Sequence, residues 1–526
     1  MTTNSFVWVL LAFAAYMCVM IIIGAKYAGK TKNSEDYFLG GRNLNGWVAA
    51  LSAQASDMSG WLLMGLPGSV YAFGTGQAWI AVGLFIGTVC NWLFISSRLR
   101  RYTICAGNAL TFPEYLENRF HDRKQILLIA SSIVIVIFFL VYTASALTAG
   151  GKLFSSVFGI DYKLALTIGA AVILIYTFLG GFMAVCVTDF IQGTLMLIGI
   201  LCVPIIAYIL VGPDNVIPLL NESGVAGGAS SFLNIMNDSG SQVSAVYVIS
   251  QLAWGLGYFG MPHILVRFMA VSSEKELKKS KVIAIIWVAI SLGFAIVIGI
   301  LGRAYLYPTV LGETTSVSAE NVFIEMIKQV FMNDLHLAFI GGLFLCGILA
   351  AIMSTADSQL LVTASSVAED LFKGVFRKDA SDKTVLRVSR ATVMIVAVIA
   401  YIIALNPNSS VMGLVSNAWA GFGAAFGPIV LLSLYWKRVN LPGAIAGIVS
   451  GAATVLVWDY IPMFATGTVD ENGKAIVNTL ATQTGLYSLV AGFAIGMILI
   501  VVVSLATKKP SDEILAEFDK MKTMDA

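Results

Sequence analysis

The chain has 526 residues, of which 58% are hydrophobic and only 12% charged; a soluble domain carries roughly 25% charged residues, so this is the composition of an integral membrane protein. A net charge of +2 gives no electrostatic footprint for a nucleic-acid partner. Six cysteines without paired spacing, and three histidines far apart (His121, His263 and His336), exclude a disulfide framework and a zinc site.

Apolar runs of about 20 residues, the length a bilayer requires, fall near 6–25, 46–70, 78–97, 126–150, 162–180, 184–212, 244–266, 282–302, 338–368, 391–405, 410–436, 441–461 and 484–506. They predict an all-α protein of thirteen transmembrane helices. The first run has no basic stretch before it and no small-residue cleavage site after it, so it reads as a span rather than a signal peptide. Lys152, Lys163, Arg303, Lys328 and Lys474 fall in the even-numbered loops, and the other 27 of the 32 Lys and Arg in odd-numbered loops or the tail. Positive charge marks the cytoplasmic side. The expected topology is therefore multi-pass in the cell membrane, N-terminus outside and C-terminus cytoplasmic. A short Gly180–Gly181 turn separates the fifth and sixth spans, and the tail "SDEILAEFDKMKTM" reads as a solvated terminus able to form a short helix.

The second span holds "LSAQASDMSGW" (51–61), with Asp57 among serines and a glycine. An ionised side chain at that depth costs at least ~2.5–3.5 kcal/mol unless something compensates it. The seventh span holds "WGLGYFGMPH" (254–263), interrupted by Gly255, Gly257, Gly260 and Pro262. Small residues of this kind allow close helix packing. They also mark unwound backbone, which lipid tolerates only where protein or a cavity surrounds it. Two breaks at the starts of consecutive five-span blocks, 46–212 and 244–436, with an acid in one, favour the second reading and point to an inverted-repeat transporter. Unwound ends offer carbonyl oxygens to a cation and amide hydrogens to a carboxylate. "GLGYFG" matches a dinucleotide fingerprint in letters alone, since it follows no strand. The chain has no phosphate-binding loop motif, which leaves an ion gradient as the energy source.

In the ninth span, Ala351, Ser354, Thr355 and Ser358 share one helical face. Such hydroxyls either bond back to their own helix or, with the carbonyls of a broken span, form a hard-oxygen site for a monovalent cation. Two further intramembrane acids remain. Asp189 is equally a cation ligand or relay and a structural carboxylate, while Asp357 reads as structural. The spans contain no Ser–His, paired-Asp or HExxH arrangement of an intramembrane hydrolase and no filter of a channel, and the tail is too short for a signalling domain.

The segments "DYFLGGRNL" (36–44), "LSAQASDMSGWLLMGLPG" (51–68), "WGLGYFGMPHILVRFMA" (254–270), "AAIMSTADSQLLV" (350–362) and "NAWAGFGAAFGP" (417–428) together resemble the sodium/solute symporter family, most strongly its bacterial sodium/proline symporters. The likeness runs from about residue 6 to 506. It implies a leucine-transporter-like five-plus-five inverted repeat, with one helix before it and two after. In these terms 1–45 is the extra helix and a cytoplasmic loop, 46–212 the first repeat and 213–243 an extracellular loop. Residues 244–436 form the second repeat, 437–506 the two additional helices and 507–526 the cytoplasmic tail. The implied activity is sodium-coupled uptake of L-proline, or of another small solute such as a different amino acid, pantothenate or a carboxylate, with the lipid bilayer as the setting. The implied sodium ligands are the carbonyls of Ala55, Met58 and Ala351 and the hydroxyls of Ser354 and Thr355. Substrate is expected near Ser56, Asp57, Ser59, Gly60, Tyr142, Trp254, Tyr258 and Pro262, with Asp57 as counter-charge. Arg42 and Asp189 are the coupling candidates, and Met261 departs from the glutamine expected in close proline symporters.

Overall fold

The computed structural model describes residues 3–28, 34–177, 181–307, 319–469 and 475–524; Gly180 of the predicted turn and Lys474 lie outside these. Among the described residues, ten helices are long and apolar enough to cross a membrane, joined by two shorter apolar helices, Trp61–Phe73 and Tyr162–Ile175. In chain order the helices are α1 (Thr3–Ala28), α2 (Gly46–Asp57), α3 (Trp61–Phe73), α4 (Thr75–Cys105), α5 (Ile126–Phe158) and α6 (Tyr162–Ile175). They continue with α7 (Phe182–Val211), α8 (Ala245–Leu252), α9 (Pro262–Ala270), α10 (Glu274–Leu306) and α11 (Ala338–Phe376). The last four in the membrane region are α12 (Asp382–Ala404), α13 (Val411–Tyr435), α14 (Leu441–Tyr460) and α15 (Ser488–Ala506).

Helix starts follow local chemistry. Asn45, Ser244, Ser273, Ser410 and Asn440 each accept a hydrogen bond from an amide of the turn they precede, which satisfies donors a helix end leaves free. Two helices begin well before their apolar runs. The "KELKKSK" segment forms the first turns of α10, and α12 opens at Asp382 with Lys383 and Arg387 in its first turns. A count of apolar residues sees only the part of a helix that meets lipid or core.

α11 and α13 are the most buried spans. α11 packs against α1, α2, α5 and α7, and α13 against α5, α14, α15 and the 3₁₀ segment Ala253–Gly260 that joins α8 to α9. α4 crosses that segment backbone to backbone: a Cβ on Gly87 would lie 2.2 Å from the Gly255 carbonyl, and one on Gly255 2.2 Å from that of Gly83. The glycines of "WGLGYFG" thus serve close packing as well as the break.

Lys152, predicted in a loop, lies within α5, buried, with its Nζ 2.5 Å from Glu320 Oε2. Glu320 also accepts from Ser410 Oγ (2.9 Å) and the Met412 amide (3.2 Å) at the start of α13, so this buried charge is both paired and hydrogen-bonded. The tail is likewise not a free terminus. Its helix Asp512–Thr523 buries Ile514, Phe518 and Met521, an apolar stripe at helical spacing. Phe518 faces the Arg119 guanidinium at 5.5 Å and Glu517 meets His121 at 3.1 Å.

Candidate functional site

α2 stops because the chain makes an inverse γ-turn at Met58 (φ −81°, ψ 69°), where the Ser59 amide turns back to the Asp57 carbonyl at 2.9 Å. The Ala55 carbonyl therefore loses the amide four residues on that would have closed its helical bond. Ser354 Oγ of α11 donates to it instead at 2.7 Å, and Thr355 Oγ1 lies 3.5 Å away. Ser354 Oγ also reaches its own Ala351 carbonyl at 3.2 Å, the back-bond expected of a helical serine, but the bond across helices is the shorter. Ala55, Met58, Ala351, Ser354 and Thr355 are all fully buried. Four of the five expected sodium ligands thus meet in one oxygen-only cluster, with Met58 in the adjoining turn. Uncharged oxygens without nitrogen or sulfur suit a hard monovalent cation.

Asp57, the last residue of α2, is fully buried and accepts from the Tyr258 hydroxyl at 2.5 Å through Oδ2, while Oδ1 has no hydrogen-bond partner among the described residues. Its own carbonyl accepts from Trp61 Nε1 at 3.2 Å. Tyr142 of α5 faces Asp57 and Ser59. Ser59 Oγ accepts from the Trp61 amide (3.4 Å), and Ser56 Oγ turns to the Ala53 carbonyl (3.2 Å). Gly60 closes the break against α5, since a Cβ there would lie 2.8 Å from that of Ala149. Asp57, Ser59, Gly60, Tyr142 and Tyr258 therefore converge, while Ser56 is spent on local backbone.

Trp254 and Pro262 are not in that group. Trp254 stacks on Tyr487 (5.4 Å) and Trp419 (6.4 Å) in the wall of a cavity of about 730 Å³ also lined by Ser69, Gln251, Met412 and Ser416. Trp419 in turn meets the Tyr258 ring edge-on at 5.1 Å, so a chain of rings connects the cavity to the Asp57 pair. Pro262 acts on the backbone. It starts α9, and Met261 before it is buried and extended (φ −80°, ψ 106°), as a residue preceding proline prefers.

Among the described residues, Asp189 makes no hydrogen bond to the oxygen cluster. Its Oδ2 accepts from Ser52 Oγ (2.6 Å) and pairs with Arg267 Nη2 (3.2 Å), and both charges are buried. Arg267 also donates to Ser358 Oγ (2.5 Å), and Ser358 Oγ lies 3.3 Å from Asp357 Oδ1. Sequence reasoning missed Arg267 because it stands one residue past the predicted end of its span, where a basic residue reads as a topology signal. A charge at the edge of a broken intramembrane motif was the available clue. Arg42, in a left-handed turn (φ 54°) before α2, joins three segments through Asn108 Oδ1 (2.9 Å), the Met269 carbonyl (2.5 Å) and the Ala109 carbonyl (2.8 Å). Burial, with Arg100 adding to it, lowers its guanidinium to about 10, so it stays charged at neutral pH.

The sequence model of the sodium:solute symporter family matches residues 37–451. The osmoregulated proline transporter OpuE of Bacillus subtilis (strain 168) is 43% identical over 503 residues, 96% of each chain. The sodium/proline symporter of Escherichia coli (strain K12) is 43% identical over 505 residues, 95% of this chain and 94% of its own. Among solved structures, a Na⁺-coupled sialic acid symporter in a substrate-bound outward-open state superposes with a TM-score of 0.74 at 20% identity, covering 96% of this chain and 98% of its own, which establishes a shared fold. On a family match over most of its length and on relatives this similar end to end, the chain belongs to the sodium:solute symporter family.

Proposed function

We propose that this protein is a secondary active transporter that carries L-proline into the cell with sodium by alternating access. The observation that carries the reading is the break at Met58. It sets the Ala55 carbonyl against the Ser354 and Thr355 hydroxyls and, two residues on, leaves the buried Asp57 carboxylate with one oxygen unpartnered among the described residues. Sodium occupies the oxygen cluster, and Asp57 balances it together with the substrate's secondary ammonium, since Coulomb attraction is strong where water is excluded. The names of the relatives above supply the solute. The arrangement we infer has thirteen spans: a five-plus-five inverted repeat over 46–212 and 244–436, one helix before it and two after, with the N-terminus outside and the C-terminus cytoplasmic. The bias of Lys and Arg toward odd-numbered loops supports that orientation.

One charge moving through 100 mV contributes ~2.3 kcal/mol. A tenfold sodium gradient adds ~1.4 kcal/mol, so one ion sustains a proline gradient of roughly several hundred-fold. Uptake of labelled proline into proteoliposomes with and without an inward sodium gradient tests this, and equal uptake in both would reject it.

Trp254→Ala removes an aromatic wall of the cavity without touching the oxygen cluster. It is expected to raise the proline concentration for half-maximal uptake by about tenfold, the order lost with an aromatic binding contact. The sodium requirement should move far less, and a shift confined to sodium would remove Trp254 from the substrate route.

A further inference from the structure

We propose that Arg267 is the positioning residue of the inside gate, holding the inner halves of both broken helices together while the opposite face of the protein is open. This rests on the alternating-access reading above. Arg267 stands on α9, is 1% exposed, and spends its fork on four segments. Nε donates to Ser52 Oγ on α2 (3.1 Å), and Nη2 donates to Asp189 Oδ2 on α7 (3.2 Å) and Ser358 Oγ on α11 (2.5 Å). Nη1 donates to the His263 carbonyl in the first turn of α9 (2.6 Å).

One side chain thus joins the inner half of the first broken helix, the inner half of the second and two helices that do not break. The same ends are stitched nearer the surface, where the Leu44 amide meets the Ala270 carbonyl (3.1 Å) and the Ser272 amide meets the Leu44 carbonyl (3.0 Å). On the opposite face lies the 730 Å³ cavity. A guanidinium fork suits a reversible latch, because bonds that are strong when dry are replaced by water when the gate opens. The latch also shares its helices with the oxygen cluster. Ser52 precedes Ala55 by three residues and Ser358 follows Ser354 by four, so an ion in the cluster strengthens the α2–α11 contact on which the latch acts.

Cys186 offers an internal reporter, being buried beside Arg267 and Ser52. The test replaces the other five cysteines and labels Cys186 with a membrane-impermeant maleimide from the face bearing Arg42. A parallel protein lacks Cys186 and carries Ser69→Cys in the wall of the opposite cavity. Arg267→Gln is expected to raise Cys186 labelling by about tenfold or more and to lower Ser69→Cys labelling in step, as removal of a contact favouring one state of a two-state equilibrium requires. Arg267→Lys keeps the charge without the fork and should fall between. Ser358→Ala leaves the Arg267–Asp189 pair intact and should shift both reporters in the same directions severalfold; it carries the test if Arg267→Gln fails to fold. Two results overturn the proposal: both reporters rising together, which signals general loosening, or Cys186 staying at the parent rate in the folded variants. Failure of the parent to take up proline with sodium counts against the symport reading and leaves the labelling result standing.

Discussion

Asp57→Asn is expected to abolish sodium-driven accumulation of proline while leaving the protein folded. Asparagine keeps an oxygen to accept from the Tyr258 hydroxyl, which now lies 2.5 Å from Oδ2, and it fills the same buried volume. What it removes is the charge. A unit charge about 4 Å from an ion contributes about 4 kcal/mol at an effective dielectric of 20, roughly three decades of affinity. Proteoliposomes with an inward sodium gradient provide the measurement, and full sodium-dependent uptake by the variant would sink the assignment of Asp57. Asp357→Asn is the control. That carboxylate accepts from the neighbouring Ser358 and should lose much less.

The second expected result separates the two ligands. Ser354→Ala and Thr355→Ala each delete one hydroxyl from the cluster around the Ala55 carbonyl and touch no residue of the Asp57–Tyr258–Tyr142 group. A hydrogen-bonding group lost to a charged ligand costs ~1.5–3 kcal/mol, so the sodium concentration for half-maximal uptake should rise by roughly ten- to a hundred-fold. Much of the deficit should return at high sodium. Proline dependence will shift too, because coupling between the two ligands is reciprocal in binding free energy, but by a smaller factor. Ser354→Ala is expected to be the more severe, since its oxygen is 2.7 Å from the carbonyl against 3.5 Å for Thr355. If Thr355→Ala weakened proline alone and left sodium dependence unchanged, the hydroxyl face would not be the cation site.

The sequence by itself determined what depends on neighbours in the chain. Long apolar runs make a helical membrane protein legible, because burial in a bilayer is a matter of continuous length. Serine and asparagine caps, the interruption around Asp57 and the extended residue before Pro262 are legible for the same reason: each follows from the preferences of two to five consecutive residues. So too the shared face of Ala351, Ser354 and Thr355, a consequence of helical period. Only the tertiary structure decided which charges are paired. Lys152 and Arg267 both look like surface charges at span edges, yet each is buried against an acid, Glu320 168 residues away and Asp189 78 residues away. It also decided that Trp254 stacks in a cavity wall with Tyr487 while Tyr258, four residues on, holds Asp57. A buried charge or ring is stabilised by whatever folding brings beside it, and here that partner comes from a segment distant in sequence, so no local pattern announces it.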